Sequence, residues 1–189
     1  CEIIAEKLID LSCEVSAIVA RSPMGEIRVF PLFLNMHANH ILDVTLCPIP
    51  EQLLPLERNA TEIAKELAAK IQLEGLLCIE FFIDRSGNLM INELAPRPHN
   101  SGHLTIEGFK TSQFEQHLRA ILGLPLGSTN MRAHAAMLNI IGTPVDTAQL
   151  LCVPDAHLHL YEKLARPGRK LGHITICANT AQQLTERLE

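Results

Sequence analysis

Glu80 and Glu93 flank the turn Asp84-Arg85-Ser86-Gly87-Asn88, and largely apolar stretches carry both of them. A hairpin folded symmetrically about Ser86 and Gly87 sets the two carboxylates opposite each other. Like charges across a strand pair repel, and an unpaired charge facing inward from an apolar strand is costly. A cation held between them offsets both effects. Oxygen-only ligands select hard ions, so Mg²⁺ bridging nucleotide phosphates is the natural occupant. The alternative is a register slip of one residue, which turns one glutamate outward as ordinary surface.

The residues after Glu93 are denser in chemistry. Asn92-Glu93-Leu94-Ala95-Pro96-Arg97-Pro98-His99-Asn100-Ser101-Gly102-His103 packs carboxylate, guanidinium, imidazole and amide groups into one short stretch. Two prolines and a glycine punctuate it, as expected of a shaped loop leaving a strand, and such loops carry function. The pairs His99/His103 and His157/His159 have suggestive spacings, but neither has a Cys or carboxylate at zinc-finger distance, so no structural zinc is expected. Polar surface or satisfied core histidine is the ordinary reading of each pair.

These groups need elements to hold them. Residues 2–9 read as a strand, and residues 14–21 as another. Ser22-Pro23-Met24-Gly25 is a turn, and Ile27 to Leu34 returns as the hairpin partner. Ala60, Ile63, Ala64, Leu67, Ala68 and Ile71 recur at helical spacing, with Asn59 as a cap, or a start a turn or two earlier near Gln52, and Gly75 beyond the end. Leu76 to Ile83 and Leu89 to Leu94 form the carboxylate hairpin. Ser112 with Glu115 signals a helix over 113–122, stopped by Gly123 and Pro125. From about Asn130 the pattern changes to short strands (133–141, 157–162, 172–177) and short helices (147–151, and from Thr180). The linker-like Gly-Ser-Thr-Asn at 127–130 places a domain boundary near Gly127.

Composition narrows the class. The chain has 189 residues, 47% of them hydrophobic, enough for a proper core. A net charge of -5 gives no reason to expect nucleic acid as a partner. No apolar run approaches the ~20 residues of a membrane span. Cys1, Cys13, Cys47, Cys78, Cys152 and Cys177 are read as buried thiols in a reducing cytoplasm. The scattered glycines form no phosphate-cradling loop. The chain opens on what reads as a strand interior and closes within a helical pattern, as a piece of a longer protein would.

The loop from Asn92 to His103 resembles the signature of 5-(carboxyamino)imidazole ribonucleotide synthases, members of the ATP-grasp superfamily. Phe30 to Leu42, with Pro31, Asn35, His37 and Ile41-Leu42-Asp43, resembles the same family. So does Tyr161-Glu162-Lys163 with Arg166-Pro167-Gly168-Arg169-Lys170-Leu171-Gly172-His173. Many ATP-grasp enzymes have Asn two residues after the second metal-binding Glu, whereas Ala95 stands here, which matches the narrower family. The resemblance implies an α+β fold: the C-terminal half of an ATP-grasp domain over 1–127, an antiparallel sheet with packed helices. A small α/β domain of short strands, itself truncated, follows over 128–189.

It also implies roles. Glu6, Lys7, Leu8 and Ile9 form the hinge strand that reads adenine, Glu14 holds the ribose, and His37 lies near the phosphates. Asn92 and Glu93 complete the ATP site, and Glu80 and Glu93 hold Mg²⁺. Arg97, His99, Asn100 and His103 act in catalysis. Asn100, Ser101, Lys163, Arg169 and Lys170 hold the ribonucleotide, whose phosphate suits Arg and Lys. The implied reaction joins bicarbonate to 5-aminoimidazole ribonucleotide with ATP through carboxyphosphate, in a cytoplasmic enzyme that is a homodimer at full length. The phosphate-covering glycine-rich loop of that family is expected upstream of residue 1, which leaves this chain inactive alone. Two other readings compete. A non-catalytic binding module is disfavoured by the intact Glu80/Glu93 pair, and another ATP-grasp carboxylase by Ala95 and the segment Arg169 to His173.

Overall fold

The computed structural model describes residues 3–189. Its first strand, β1 (Leu11–Arg21), is antiparallel to β5 (Gly75–Asp84) along nearly its whole length. Val15 through Ala20 are all buried, because both faces of this strand are covered. On one face Val15, Ala17 and Val19 join Leu77, Ile79 and Phe81 beneath helix α1 (Leu54–Lys70). That helix presents Ala60, Ala64 and Ala68, one small residue per turn, so it lies close to the sheet. On the other face Ile18 and Ala20 meet Phe30, Phe33, Leu104 and Phe109. A strand covered on both faces has no reason to alternate apolar and polar residues.

The strand expected over 2–9 is not formed in its described part. Residues 3–10 lack regular structure and are almost entirely exposed, with Leu8 at 94%. A strand needs partners for its backbone groups, and in this segment the described backbone bond is at its very end, where the Asp10 carbonyl accepts from the Arg85 N–H (3.1 Å). Glu2, where the expectation began, lies outside the described residues. The hairpin partner of β1 is also divided. β2 (Ile27–Val29) and β3 (Phe33–Ala38) both pair with β1, one residue out of step with each other. Pro31 lies in the gap, where the missing N–H cannot serve a ladder. Asn59 does not cap α1; the helix starts at Leu54 after a 3-10 turn at Glu51–Leu53, with Pro55 in its first turn.

The remaining elements are β4 (Ile41–Cys47), β6 (Leu89–Ala95), α2 (Thr105–Gly108), α3 (Gln113–Ile121), β7 (His134–Ile141), α4 (Thr147–Leu150), β8 (Ala156–Leu160), β9 (Lys170–Ala178) and α5 (Ala181–Leu188). The sheet order is β6-β5-β1-β3-β4-β7-β9-β8, with β2 beside β1. This is the expected antiparallel sheet with packed helices. β4 pairs with β7, so one sheet continues past the linker-like stretch. Gly127 is pinned there by Gln116, whose amide accepts from the Gly127 N–H (2.7 Å) and donates to its carbonyl (3.0 Å). Cys47, Cys78 and Cys177 are buried and Cys13 is half-buried, but Cys152 is exposed in the turn after α4, against expectation. Cys1 lies outside the described residues.

Candidate nucleotide and ribonucleotide site

Glu80 and Glu93 are direct cross-strand partners in the β5–β6 hairpin. A bulge makes this possible. Beyond it Phe81 faces Ile91, so Asn92 is the extra residue on β6. Asn92 and Glu93, neighbours in sequence, therefore both line one open cleft of about 680 Å³ with Glu14, His37, Glu80 and Phe82. The β3–β4 turn forms its far wall, where Asn39 and His40 both have positive φ, as a two-residue hairpin turn requires.

The tightest group in the cleft is Glu14, His37 and Glu80, whose ligand atoms all lie within 4.8 Å of one another. His37 Nδ1 is 3.3 Å from Glu14. Burial raises the Glu14 carboxyl and the nearby Glu80 charge adds to this, although His37 opposes them. Glu80 moves the other way, because the hydrogen bond from His99 (2.9 Å) outweighs its burial. The resemblance implies a ribose role for Glu14, and the fold sets it beside Glu80. Glu93 faces Glu80 but stands outside the tight trio, on the exposed side of the cleft. A group of carboxylates gathered at an open cleft fits the demand of a hard divalent ion for oxygen ligands.

The loop after β6 is held from beneath by Gln113, a fully buried residue at the start of α3 that sequence reasoning missed. Its Oε1 accepts from the His99 N–H (2.8 Å) and its Nε2 donates to the His99 carbonyl (2.7 Å). Those two bonds fix the amide's orientation, so its contact with His103 Nδ1 (3.0 Å) is also a donation by Nε2. His103 therefore carries its proton on Nε2 and offers a donor. A neutral ring also follows from burial, which, with Lys170 nearby, lowers its pKa to about 3. Gly102 packs where any Cβ would meet Gln113 and Ile18. The sequence shows only a glutamine at the first position of a helix; its burial comes with the fold.

On the far side of the loop Asn100 accepts a hydrogen bond from Lys170. Lys163 and Lys170 both approach the Tyr161 ring, at 5.1 and 5.5 Å from its centre. Burial and the charge of Lys163 bring the Lys170 pKa down to about 8. Tyr161 contacts His173 Nδ1 at 2.5 Å, and His173 stacks on His159, which is held by Glu107 at 2.7 Å. In the sequence Tyr161 and His173 stand out only as part of a motif, and His159 only as half of a pair. Lys163 is exposed and Arg169 half-buried beside this cluster, and Arg97 is exposed at the loop's start. Ser101 differs from expectation: it is fully buried, with its hydroxyl turned into the protein. Glu6, Lys7, Leu8 and Ile9 stand on the irregular segment before β1, outside any strand.

Residues 1–114 match the model of the ATP-grasp domain, and residues 135–187 that of the phosphoribosylaminoimidazole carboxylase C-terminal domain. The chain belongs to the ATP-grasp family. Among relatives of this ATP-grasp chain, N5-carboxyaminoimidazole ribonucleotide synthase of Vibrio vulnificus is 42% identical over 98% of this chain and 48% of its own length. The enzyme of the same name from Mycobacterium tuberculosis is 40% identical over 99% and 46%. N5-carboxyaminoimidazole ribonucleotide synthetase from Thermus thermophilus superposes with a TM-score of 0.92 at 45% identity, covering 96% of this chain and 50% of that one. The synthase from Aspergillus clavatus, solved with ADP and 5-aminoimidazole ribonucleotide, gives 0.90 at 34%, covering 97% and 51%. This ATP-grasp chain thus spans about half the length of the curated relatives it matches. Among the described residues, no helix is long and apolar enough to cross a membrane.

Proposed function

We propose that the protein carrying this chain is an ATP-dependent carbon–nitrogen ligase. It carboxylates 5-aminoimidazole ribonucleotide with bicarbonate to give 5-(carboxyamino)imidazole ribonucleotide, in purine biosynthesis. The observation that carries this reading is the junction at His99 and Asn100. These consecutive residues reach opposite ways, His99 to the carboxylate Glu80 and Asn100 to the ammonium of Lys170. A cation-seeking cleft and an anion-seeking cluster are thereby fixed one residue apart, as a reaction between a metal-bound nucleotide and a phosphorylated substrate needs.

Glu80, Glu93 and Glu14 would hold Mg²⁺, which supplies charge neutralisation to the phosphates of ATP. Bicarbonate oxygen attacks the γ-phosphorus, ADP leaves, and carboxyphosphate results. The exocyclic amine of the ribonucleotide then takes the carboxyl carbon, losing a proton as phosphate departs. Positioning and charge do most of such work. His37 at the cleft wall serves the phosphates, and Asn92 the nucleotide. Lys163, Arg169 and Lys170 hold the ribonucleotide phosphate, and neutral His103 donates from Nε2. Glu6 to Ile9 form the adenine hinge once they gain a strand partner. Ser101 acts from within and not by touching substrate.

The division near Gly127 belongs to this reading: it falls between the two matched regions, although one sheet crosses it. So do the cytoplasmic setting and the homodimer. The 189-residue chain alone is expected to bind nucleotide weakly, since it carries no glycine-rich loop to cover the phosphates. The test is ADP release by the whole protein. It should require both bicarbonate and the aminoimidazole ribonucleotide; release indifferent to the ribonucleotide rejects the substrate assignment.

A further inference from the structure

Four buried side chains outside the cleft connect to Glu80 through a single file of hydrogen bonds. Ser16, Asn35, Thr45 and Ser101 come from β1, β3, β4 and the loop, and each is at most 4% exposed. The contacts are Thr45 to Asn35 (3.2 Å), Asn35 to Ser16 (3.0 Å), Ser16 to Ser101 (2.8 Å) and Ser101 to His99 Nδ1 (2.9 Å). His99 Nε2 to Glu80 (2.9 Å) completes the file.

One anchor sets the direction of every bond. The backbone N–H of Ser101 points at His99 Nδ1 (3.3 Å), so that nitrogen is an acceptor and bears no proton. The Ser101 hydroxyl must then donate to Nδ1 and accept from Ser16. Ser16, having given its proton to Ser101, accepts from the Asn35 amide NH₂. This leaves the Asn35 carbonyl facing Thr45, which donates. At the far end His99 holds its only proton on Nε2 and gives it to Glu80. All five donors point toward one carboxylate.

We infer that Thr45, Asn35, Ser16 and Ser101 are positioning residues: they hold His99 as the Nε2–H tautomer, so that it always donates to Glu80 and fixes that carboxylate's orientation toward the cleft. The consequence for metal binding rests on the reading of Glu80 as a Mg²⁺ ligand. Outer partners of this kind typically change metal affinity 10–100-fold. The same file gives these four buried polar side chains their hydrogen-bond partners. The residues lie on one face of the sheet because Thr45 pairs with Asn35, Asn35 with Glu14, and Ser16 with Glu80.

The test is ¹⁵N NMR of the whole protein labelled at histidine, with the His99 ring assigned by its loss in His99→Gln. Mn²⁺ binding is titrated in parallel by electron paramagnetic resonance, and circular dichroism checks folding. The wild type should show His99 purely as Nε2–H. Ser101→Ala keeps the backbone N–H on Nδ1 but loses the hydroxyl donor, and should move the Nδ1 resonance away from its wild-type position. Asn35→Asp, nearly isosteric, turns a donor into an acceptor and should shift the ring toward Nδ1–H. Both variants should raise the Mn²⁺ Kd about tenfold. A wild-type ring protonated on Nδ1 overturns the inference. So does an unchanged Nε2–H ring with unchanged Mn²⁺ affinity in both folded variants. If the ring responds as stated but the wild type binds no Mn²⁺, the relay stands and the metal reading of Glu80 is what fails.

Discussion

The two sides of the loop at 97–103 handle charge in opposite ways. Toward β5 and β6, carboxylates crowd an open cleft, and Glu80 is kept ionised by a donor while Glu14 is pushed up beside it. Toward β8 and β9, burial has removed charge: His103 and His173 are brought to about 3 and Lys170 to about 8. The first side stores negative charge and wants a cation. The second keeps His103 and His173 neutral, so that its lysines and arginine are left to meet an anion, with half-buried Lys170 where such pairing is strong. A loop pinned by Gln113 keeps the halves in register.

The largest effect should come from Glu80→Gln in the whole protein, which removes a carboxylate while keeping shape. We expect ADP release to fall at least a hundredfold, with the ribonucleotide KM changed by no more than about threefold, because its contacts lie across the loop. Steady-state kinetics at saturating Mg²⁺ reads both; an equal rise in the ribonucleotide KM would break the division. Next is Lys170→Met. Loss of a charged hydrogen bond costs about 1.5–3 kcal/mol, so the ribonucleotide KM should rise roughly 10–100-fold with the ATP KM little altered.

The pH dependence is a finer instrument. Lys170 is cationic below about pH 8 and neutral above. Its proton is needed to pair with an anion, so ribonucleotide affinity should hold at pH 7 and weaken as pH rises through 8 to 9. ATP affinity should not follow. Lys170→Arg keeps its charge across that range and should flatten the curve. A curve of the same shape in that variant would assign the titration to another group. The smallest effect should come from outside both halves. Ser112 caps α3 by accepting from the Glu115 N–H at 3.1 Å. Ser112→Ala should cost about 1 kcal/mol of stability, seen in thermal unfolding, while the ratio of the two KM values stays the same.

Much of this architecture was legible in the sequence because local rules decided it. The Ser112 cap, the turn at Gly87 and the Glu80–Glu93 pairing follow from neighbours in the chain. The pairing is instructive, since simple symmetry reached the right partners although a bulge at Asn92 was needed to put them there. What escaped depends on distant partners. Residues 3–10 have strand-like composition but, among the described residues, no strand pairs with them. Asn59 offers a cap, but Pro55 supports an earlier start and α1 runs through. Ser101 reads as a polar loop residue, whereas Ser16 and His99, far apart in sequence, draw it inward. Gln113 and Glu14 gain their roles only when the sheet brings the loop and β5 against them.

The most direct measurement is anomalous diffraction from crystals of the whole protein grown with ADP and Mn²⁺. The account predicts an anomalous peak in the cleft within bonding distance of Glu80 and Glu93, on the side of the loop away from Lys170. A peak bound elsewhere, with those two carboxylates free of metal while ADP occupies its site, would contradict it.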